Sequence, residues 1–276
     1  MQTGPIGVFD SGYGGLTVLK SLVRALPAYD FIYLGDNARA PYGTRSYETV
    51  YKYTKACVEW FFEQGCPLVI LACNTASAKA LRTIQQQDLS HYGAEKRVLG
   101  VIRPTAEIIG NYSQSGHIGI LATPGTVASN SYQLEIEKFF PAVHLTQQSC
   151  PLWVPLIENN VHHTPGATFF IEDCVHKLLQ QDDKIDTVLL GCTHYPIIQN
   201  EIKAALPNHI KVVAQGDIVA DSLKDYLNRH PEMNTLLHKT SRLSFFTTDD
   251  VADFNAHAPQ FYGETVKALY ADITSS

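Results

Sequence analysis

The chain has 276 residues, 45% of them hydrophobic and 17% charged, enough apolar matter for one large core or two mid-sized ones. A formal net charge of −6 gives no basic excess to grip a phosphate backbone, so nucleic acid is not an expected partner. No apolar run approaches the roughly 20 residues of a bilayer span, and the opening MQTGPIGVFDSG lacks a secretory signal pattern. Six cysteines without a CxxC pair do not form a disulfide framework, and the expectation is a reduced, cytoplasmic protein with no membrane partner.

Short β-rich runs alternate with helical patterns almost throughout, which predicts βαβ units and mainly parallel sheets flanked by helices. A strand over 6–9 runs into the turn Asp10-Ser11-Gly12-Tyr13-Gly14-Gly15, and an amphipathic helix over 16–26 stops at Pro27. A second strand covers 31–34 and ends in Gly35-Asp36. Ser46 is a good N-cap for a long helix to Gln64, with Gly65 as its stop. A strand over 68–72 leads to Cys73-Asn74-Thr75 and a helix through Gln87, followed by a strand over 98–102. A short strand over 118–121 then enters Ala122-Thr123-Pro124-Gly125-Thr126, with a helix toward Phe140. A helix near 166–180 precedes a strand over 187–190 that ends in Gly191-Cys192-Thr193-His194. A strand at 210–213, a helix at 217–228, a strand at 243–247 and a helix from about Gln260 complete the chain.

The two halves share a layout. Strand-then-DSGYGG at 6–15 parallels strand-then-ATPGT at 118–126, and strand-then-CNT parallels strand-then-CTH more closely. An ancient duplication accounts for this, as do two similar βαβ domains of separate origin. The expected division is a first α/β domain of 1–99 plus 211–276 and a second of 100–210, with the site in the cleft between them.

Ligands of parallel α/β sheets sit beyond the carboxyl ends of the strands. Cys73 and Cys192 are both placed there, each before a helix start whose N–H groups and dipole favour an anion, which predicts thiols with pKa lowered toward neutrality. Cys57, Cys66, Cys150 and Cys174 read as small buried hydrophobes. Zinc normally takes four ligands, often at short Cys spacing, and that spacing is absent, so no metal is expected. DSGYGG fits neither a Walker loop nor GxGxxG, Lys79 reads as a solvated helical lysine rather than a pyridoxal-phosphate site, and His162-His163 and Asp249-Asp250 read as solvated loop residues. No cofactor is expected.

Inverting a carbon stereocentre without a cofactor needs one base to remove the proton and an acid on the opposite face to return one, with roles exchanged in reverse. Two like groups facing one cleft meet that need. Two other functions stay open on the residues alone: a Cys-dependent hydrolase or amide transferase using Cys192 and His194, and a non-catalytic amino-acid clamp.

The segments GVFDSGYGGLTVL, YLGDNARAPYGTRS, ACNTASA, CPLWVPLIE and LGCTHYP resemble the cofactor-independent aspartate/glutamate racemase superfamily, over most of the chain. The resemblance implies racemisation of glutamate, with aspartate as the nearest alternative substrate, by a homodimer that supplies D-glutamate for peptidoglycan. It implies that Cys73 takes the α-proton of D-glutamate and Cys192 that of L-glutamate. Asp10 and His194 are implied as assisting groups, with Glu158 near the second thiol and Asp36 near the first. Substrate contacts are implied for Asp10, Ser11, Pro41, Tyr42, Gly43, Asn74, Thr75, Thr123, Thr126, Thr193 and His194. Two departures stand out: Arg103 where many members carry an acidic residue, read as a surface or interface charge, and only ten residues up to Asp10, without the longer N-terminus that some members link to activation by a cell-wall precursor.

Overall fold

In the computed structural model, which describes residues 3–273, the strands form two parallel sheets. The first has six strands: β1 (Ile6–Asp10), β2 (Phe31–Gly35), β3 (Leu68–Leu71), β4 (Arg97–Gly100), β9 (Leu243–Thr247) and β10 (Ala268–Tyr270), in the order β10-β9-β2-β1-β3-β4. The second has β5 (His117–Ala122), β6 (His144–Ser149), β7 (Thr187–Gly191) and β8 (Lys211–Val213), in the order β6-β5-β7-β8. Strands covered on both faces should be near-continuous apolar runs. IGVFD in β1, LVIL in β3 and TVLLG in β7 are buried along their whole length.

The order β2-β1-β3-β4 recurs as β6-β5-β7-β8, and β9 and β10 extend only the first sheet. β1 therefore corresponds to β5 and β3 to β7, the same pairing of segments that the repeated turn motifs suggest. Lys211–Val213 departs from the expected division: it pairs in register with β7, so the second sheet continues past residue 210 before the chain returns.

The long helix Tyr47–Glu63 follows its sequence signals, with Ser46 Oγ accepting from Thr49 N at 3.2 Å and Gly65 at φ +85 ending the run. Other elements differ from the reading. The strand expected to 102 ends at Gly100, because Pro104 falls in the first turns of the helix Ile102–Ala106, where a missing N–H is tolerated. The helix expected through Gln87 breaks at Ala80 into shorter turns. Its counterpart toward Phe140 divides at Asn130, which sits at φ +55. β6, HLTQQS, escapes the apolar criterion because it is an edge strand and mostly half-exposed. The last helix is Val251–Tyr262, capped by Asp250, and the chain then adds β10 at the sheet edge. Asp249 and Asp250 are exposed as expected, but His162 is buried and only His163 faces solvent. Arg103 is an exposed partner of Glu107 at 3.0 Å.

The two sheets are joined by buried polar contacts. Tyr132, from the second half, donates to Asn74 Oδ1 at 2.6 Å. Gln215 Nε2, just after β8, reaches Tyr132 Oη at 2.8 Å and Thr105 Oγ1 at 2.9 Å, and is 3.3 Å from the Val101 carbonyl. All of these groups are buried, so removing the amide strands several acceptors at once. Gln215→Ala should lower the unfolding free energy by about 1–3 kcal/mol. The expected readout is a lower urea midpoint at unchanged m-value.

Candidate active site

In an open α/β sheet the crevice lies where connections diverge to either side of a strand, outside the carboxyl ends. β1, flanked by β2 and β3, and β5, flanked by β6 and β7, are those positions here. Loops from these strand ends line one cavity of about 80 Å³, with Cys73 following β3 and Cys192 following β7. Both thiols are buried yet line that same space.

Cys73 is the N-cap of the helix Asn74–Lys79: its sulfur accepts from Ala76 N at 3.5 Å and lies 3.4 Å from Ser11 Oγ. Helix-start donors alone would lower its pKa, as the sequence suggests. The structure reverses that expectation. Burial and the neighbouring Asp10 carboxylate outweigh the Ser11 and Ala76 hydrogen bonds and push the thiol up to about 12. Asp10 itself is fully buried and raised by desolvation, against the opposing influence of His194, the Gly15 and Gly12 N–H groups and the Thr193 hydroxyl.

On the other side, Cys192 Sγ is 3.9 Å from His194 Nδ1, and His194 Nε2 is 2.9 Å from Glu158 Oε1. Burial opposes a charged ring, but hydrogen bonds to Cys192 and Glu158 hold the imidazolium well above the ordinary histidine range. Thr193 Oγ1 donates to Asp10 Oδ1 at 3.3 Å, and Thr17 Oγ1 donates to the Thr193 carbonyl at 2.9 Å, so the CTH turn rests on the DSGYGG turn. The glycines make that approach possible. A Cβ on Gly14 would lie 2.3 Å from His194 Nδ1 and 2.4 Å from Thr193 Oγ1, and one on Gly15 would lie 2.4 Å from Asp10 Cβ.

Of the residues singled out in the sequence, Ser11, Pro41, Tyr42, Gly43, Cys73, Asn74, Thr75, Thr123, Glu158, Cys192, Thr193 and His194 line the cavity. Asp10, Asp36 and Thr126 do not: they stand behind its wall. The buried Asp36 carboxylate accepts from Arg39 Nε at 2.7 Å, Thr248 Oγ1 at 2.9 Å and the Tyr42 hydroxyl. It positions the Tyr42 wall. Thr126 and Thr123 form a buried hydroxyl cluster with Thr75, the last two joined at 3.0 Å across the cleft. Cys150, Pro151, Val154 and Pro155 also line the cavity and were not singled out. Their signal lay in the segment CPLWVPLIE, where Cys150, following the unrecognised strand β6, occupies the third strand end of the second sheet. Lys79 is not merely solvated: its Nζ donates to the Arg45 carbonyl at 2.6 Å, beside the bridge from Gly125 N to the Gly43 carbonyl at 2.7 Å.

Residues 6–223 match the model of the Asp/Glu/hydantoin racemases. The chain belongs to that family. A glutamate racemase of Dinoroseobacter shibae is 41% identical over 266 residues, covering 93% of this chain and 94% of that protein. Among solved structures, a Bacillus anthracis glutamate racemase isoform has a TM-score of 0.88 at 31% identity, over 99% of this chain and 98% of that one. The Francisella tularensis glutamate racemase in complex with D-glutamate has a TM-score of 0.87 at 32% identity, over the full length of both. The two-sheet α/β architecture is thus that of solved members of the racemase family.

The raised Cys73 thiol has a direct consequence for chemical modification in this racemase-family protein. A group with a pKa of about 12 is almost wholly protonated near neutral pH, and only the thiolate is nucleophilic. Alkylation of the Cys73 peptide by iodoacetamide, followed by mass spectrometry, should be slow at pH 7 and rise steadily toward pH 10. Asp10→Asn removes the neighbouring negative charge, so the Cys73 pKa falls and its alkylation at pH 8 should speed up. Equal rates in the two proteins would exclude Asp10 as the cause.

Proposed function

We propose that this chain interconverts L- and D-glutamate by proton transfer at Cα, with Cys73 and Cys192 as the two acid/base groups and no cofactor. The observation that carries this reading is the pair of thiols from corresponding strand ends of two similarly ordered sheets, facing one cavity. From L-glutamate, the Cys192 sulfur, beside the His194 imidazolium, takes the α-proton while the Cys73 S–H delivers a proton to the other face. D-glutamate reacts with the roles exchanged. Each step moves one proton onto a sulfur and one off the other, and leaves the carbon configuration inverted.

An α-proton beside an ionised carboxylate is very weakly acidic, so the cavity must hold the developing negative charge with fixed donors away from bulk water. Side-chain hydroxyls and amides of Ser11, Asn74, Thr75, Thr123 and Thr193, with the N–H groups at the helix start after Cys73, are the donors available. The substrate ammonium is the positive charge that the Cys73 side lacks. Its charge opposes that of Asp10, which adds to burial in keeping the Cys73 thiol neutral in the free protein. Two residues behind the wall act as positioning groups, Asp10 through Thr193 and the Gly12 turn and Asp36 through Tyr42, and Glu158, on the cavity lining, positions His194. In this reading the protein supplies D-glutamate for peptidoglycan, works in the cytoplasm and assembles as a homodimer of two such two-domain chains. Among the described residues no helix is long and apolar enough to cross a membrane.

One observation favours a second reading. Cys192, His194 and Glu158 form a thiol–imidazole–carboxylate chain of the kind that activates a cysteine nucleophile. It leaves Cys73 without a task. Incubation with either glutamate enantiomer in D₂O separates the two: racemisation incorporates solvent deuterium at Cα, whereas hydrolase chemistry traps an acyl-enzyme. Cys73→Ser and Cys192→Ser should each lower racemisation by about 10²–10⁴-fold. Each should keep elimination from one enantiomer of an analogue carrying a leaving group at Cβ, because removing the α-proton from one face needs only one base. Full racemisation by either variant would sink the two-thiol assignment, and a faster reaction with aspartate in the same assay would overturn the choice of substrate.

A further inference from the structure

Far from the cavity, at the amino ends of the second sheet, lies a cluster that the racemisation does not use. His117 opens β5 and His144 opens β6, and the two are register partners on adjacent strands. Register partners on neighbouring parallel strands project from the same face, and the two imidazole rings stand 5.1 Å apart between centroids. Asp182, where the helix Pro165–Gln181 ends, comes up beneath them: its Oδ2 is 2.7 Å from His117 Nδ1 and 3.8 Å from His144 Nε2. One ligand atom from each residue lies within 4.8 Å of the other two.

We propose that His117, His144 and Asp182 form a binding site for a divalent first-row transition-metal ion of the zinc type. Imidazole nitrogens and a carboxylate oxygen are the donors such ions prefer, and bonds of about 2.0–2.2 Å place neighbouring ligand atoms roughly 3–3.5 Å apart. The separations observed straddle that range, so small rotations of the two rings suffice to close the site. The carboxylate is held for the purpose. Asp182 Oδ1 accepts from Lys184 N at 3.0 Å, and Thr146 Oγ1 lies 3.5 Å from Oδ2, which fixes the oxygen that faces the histidines. The Asp182 side chain is 7% exposed and His117 26%, while His144 is 63% exposed. The site is thus anchored on the inside and open on the outside, with an entry path and room for water ligands. Binding replaces the hydrogen bond between His117 Nδ1 and Asp182 Oδ2 by two metal bonds, and any proton on Nδ1 moves to Nε2 or to solvent. The ion would clamp β5, β6 and the end of the following helix together. β5 runs on from His117 to Ala122 and the cavity, so metal and substrate sites lie at opposite ends of one strand.

Cobalt(II) chloride titrated into the intact chain in a non-coordinating buffer tests this, because the active-site thiols are the competing ligands. The expected result is one equivalent bound, with visible d–d bands and no near-ultraviolet thiolate-to-cobalt charge transfer. Zinc chloride followed by calorimetry should give the same stoichiometry. His144→Ala, at the exposed ligand, and Asp182→Asn should each weaken binding more than about tenfold, while circular dichroism and metal-free racemisation stay as in the parent. Absence of stoichiometric binding, a thiolate charge-transfer band, or affinity unchanged in both variants would overturn the assignment.

Discussion

The structure of the site depends on the contact between two turns, DSGYGG after β1 and CTH after β7. Two parallel sheets have no intrinsic reason to present their carboxyl ends to the same space. They do so here because Gly14 has no side chain where His194 and Thr193 come in, and because Thr193 then bonds to the buried Asp10 carboxylate. Thr17 adds a second bond to the Thr193 backbone. Asp10, Gly14, Thr193 and His194 are buried and Thr17 is half-buried, so each polar atom is worth more paired, and costs more unpaired, than it would at a surface. The junction therefore fixes the position of Cys192 and His194 relative to the strand end that carries Cys73.

The same junction sets the charges. Asp10 sits between the two halves of the site. Its negative charge raises Cys73, and the His194 imidazolium offsets only part of the rise that burial imposes on Asp10 itself. Glu158 adds a second carboxylate to His194 from the outer side. A pair of thiols placed symmetrically by the fold is thereby made unequal by its surroundings: one is held neutral beside a carboxylate, the other stands beside a cation.

Much of this was legible in the sequence, for identifiable reasons. Fully buried parallel strands such as LVIL and TVLLG announce themselves by composition, and strand ends are where chemistry collects, so Cys73 and Cys192 stood out together. The caps of the helix Tyr47–Glu63 were visible because Ser46 and Gly65 are local signals. What was hidden was decided by tertiary packing. β6 is an edge strand of Thr and Gln residues, so nothing apolar marks it, and missing it also hid Cys150 at its end. The short strand β8 resembles its counterpart in the first sheet and carries no mark of which sheet it joins. The direction of the Cys73 shift was misjudged because helix-start donors are read from sequence, whereas a carboxylate brought close by a turn 60 residues earlier is not. The metal-type cluster was invisible for the same reason: spacing rules look for nearby ligands, and these three are joined only by strand register and a helix end.

In the proposed racemisation, the electrostatic inequality of the thiols does not favour one product. The two enantiomers have equal free energies in an achiral solvent, so the equilibrium constant is one, and kcat/KM must be the same in both directions however the protein is charged. A neutral Cys73 beside Asp10 and a cationic His194 beside Cys192 can only divide that common value differently between kcat and KM for the two substrates. The fold's near-repeat supplies the two like acids that the proposed reversible reaction requires, and the departures from the repeat, Asp10 on one side and His194 with Glu158 on the other, give the two thiols different surroundings in the free protein. That division of labour explains why residues with no exposure to the cavity belong to the site. Asp10 need not touch the reacting carbon to influence the reaction, because a buried charge at hydrogen-bond range from Thr193 is screened far less than one in water.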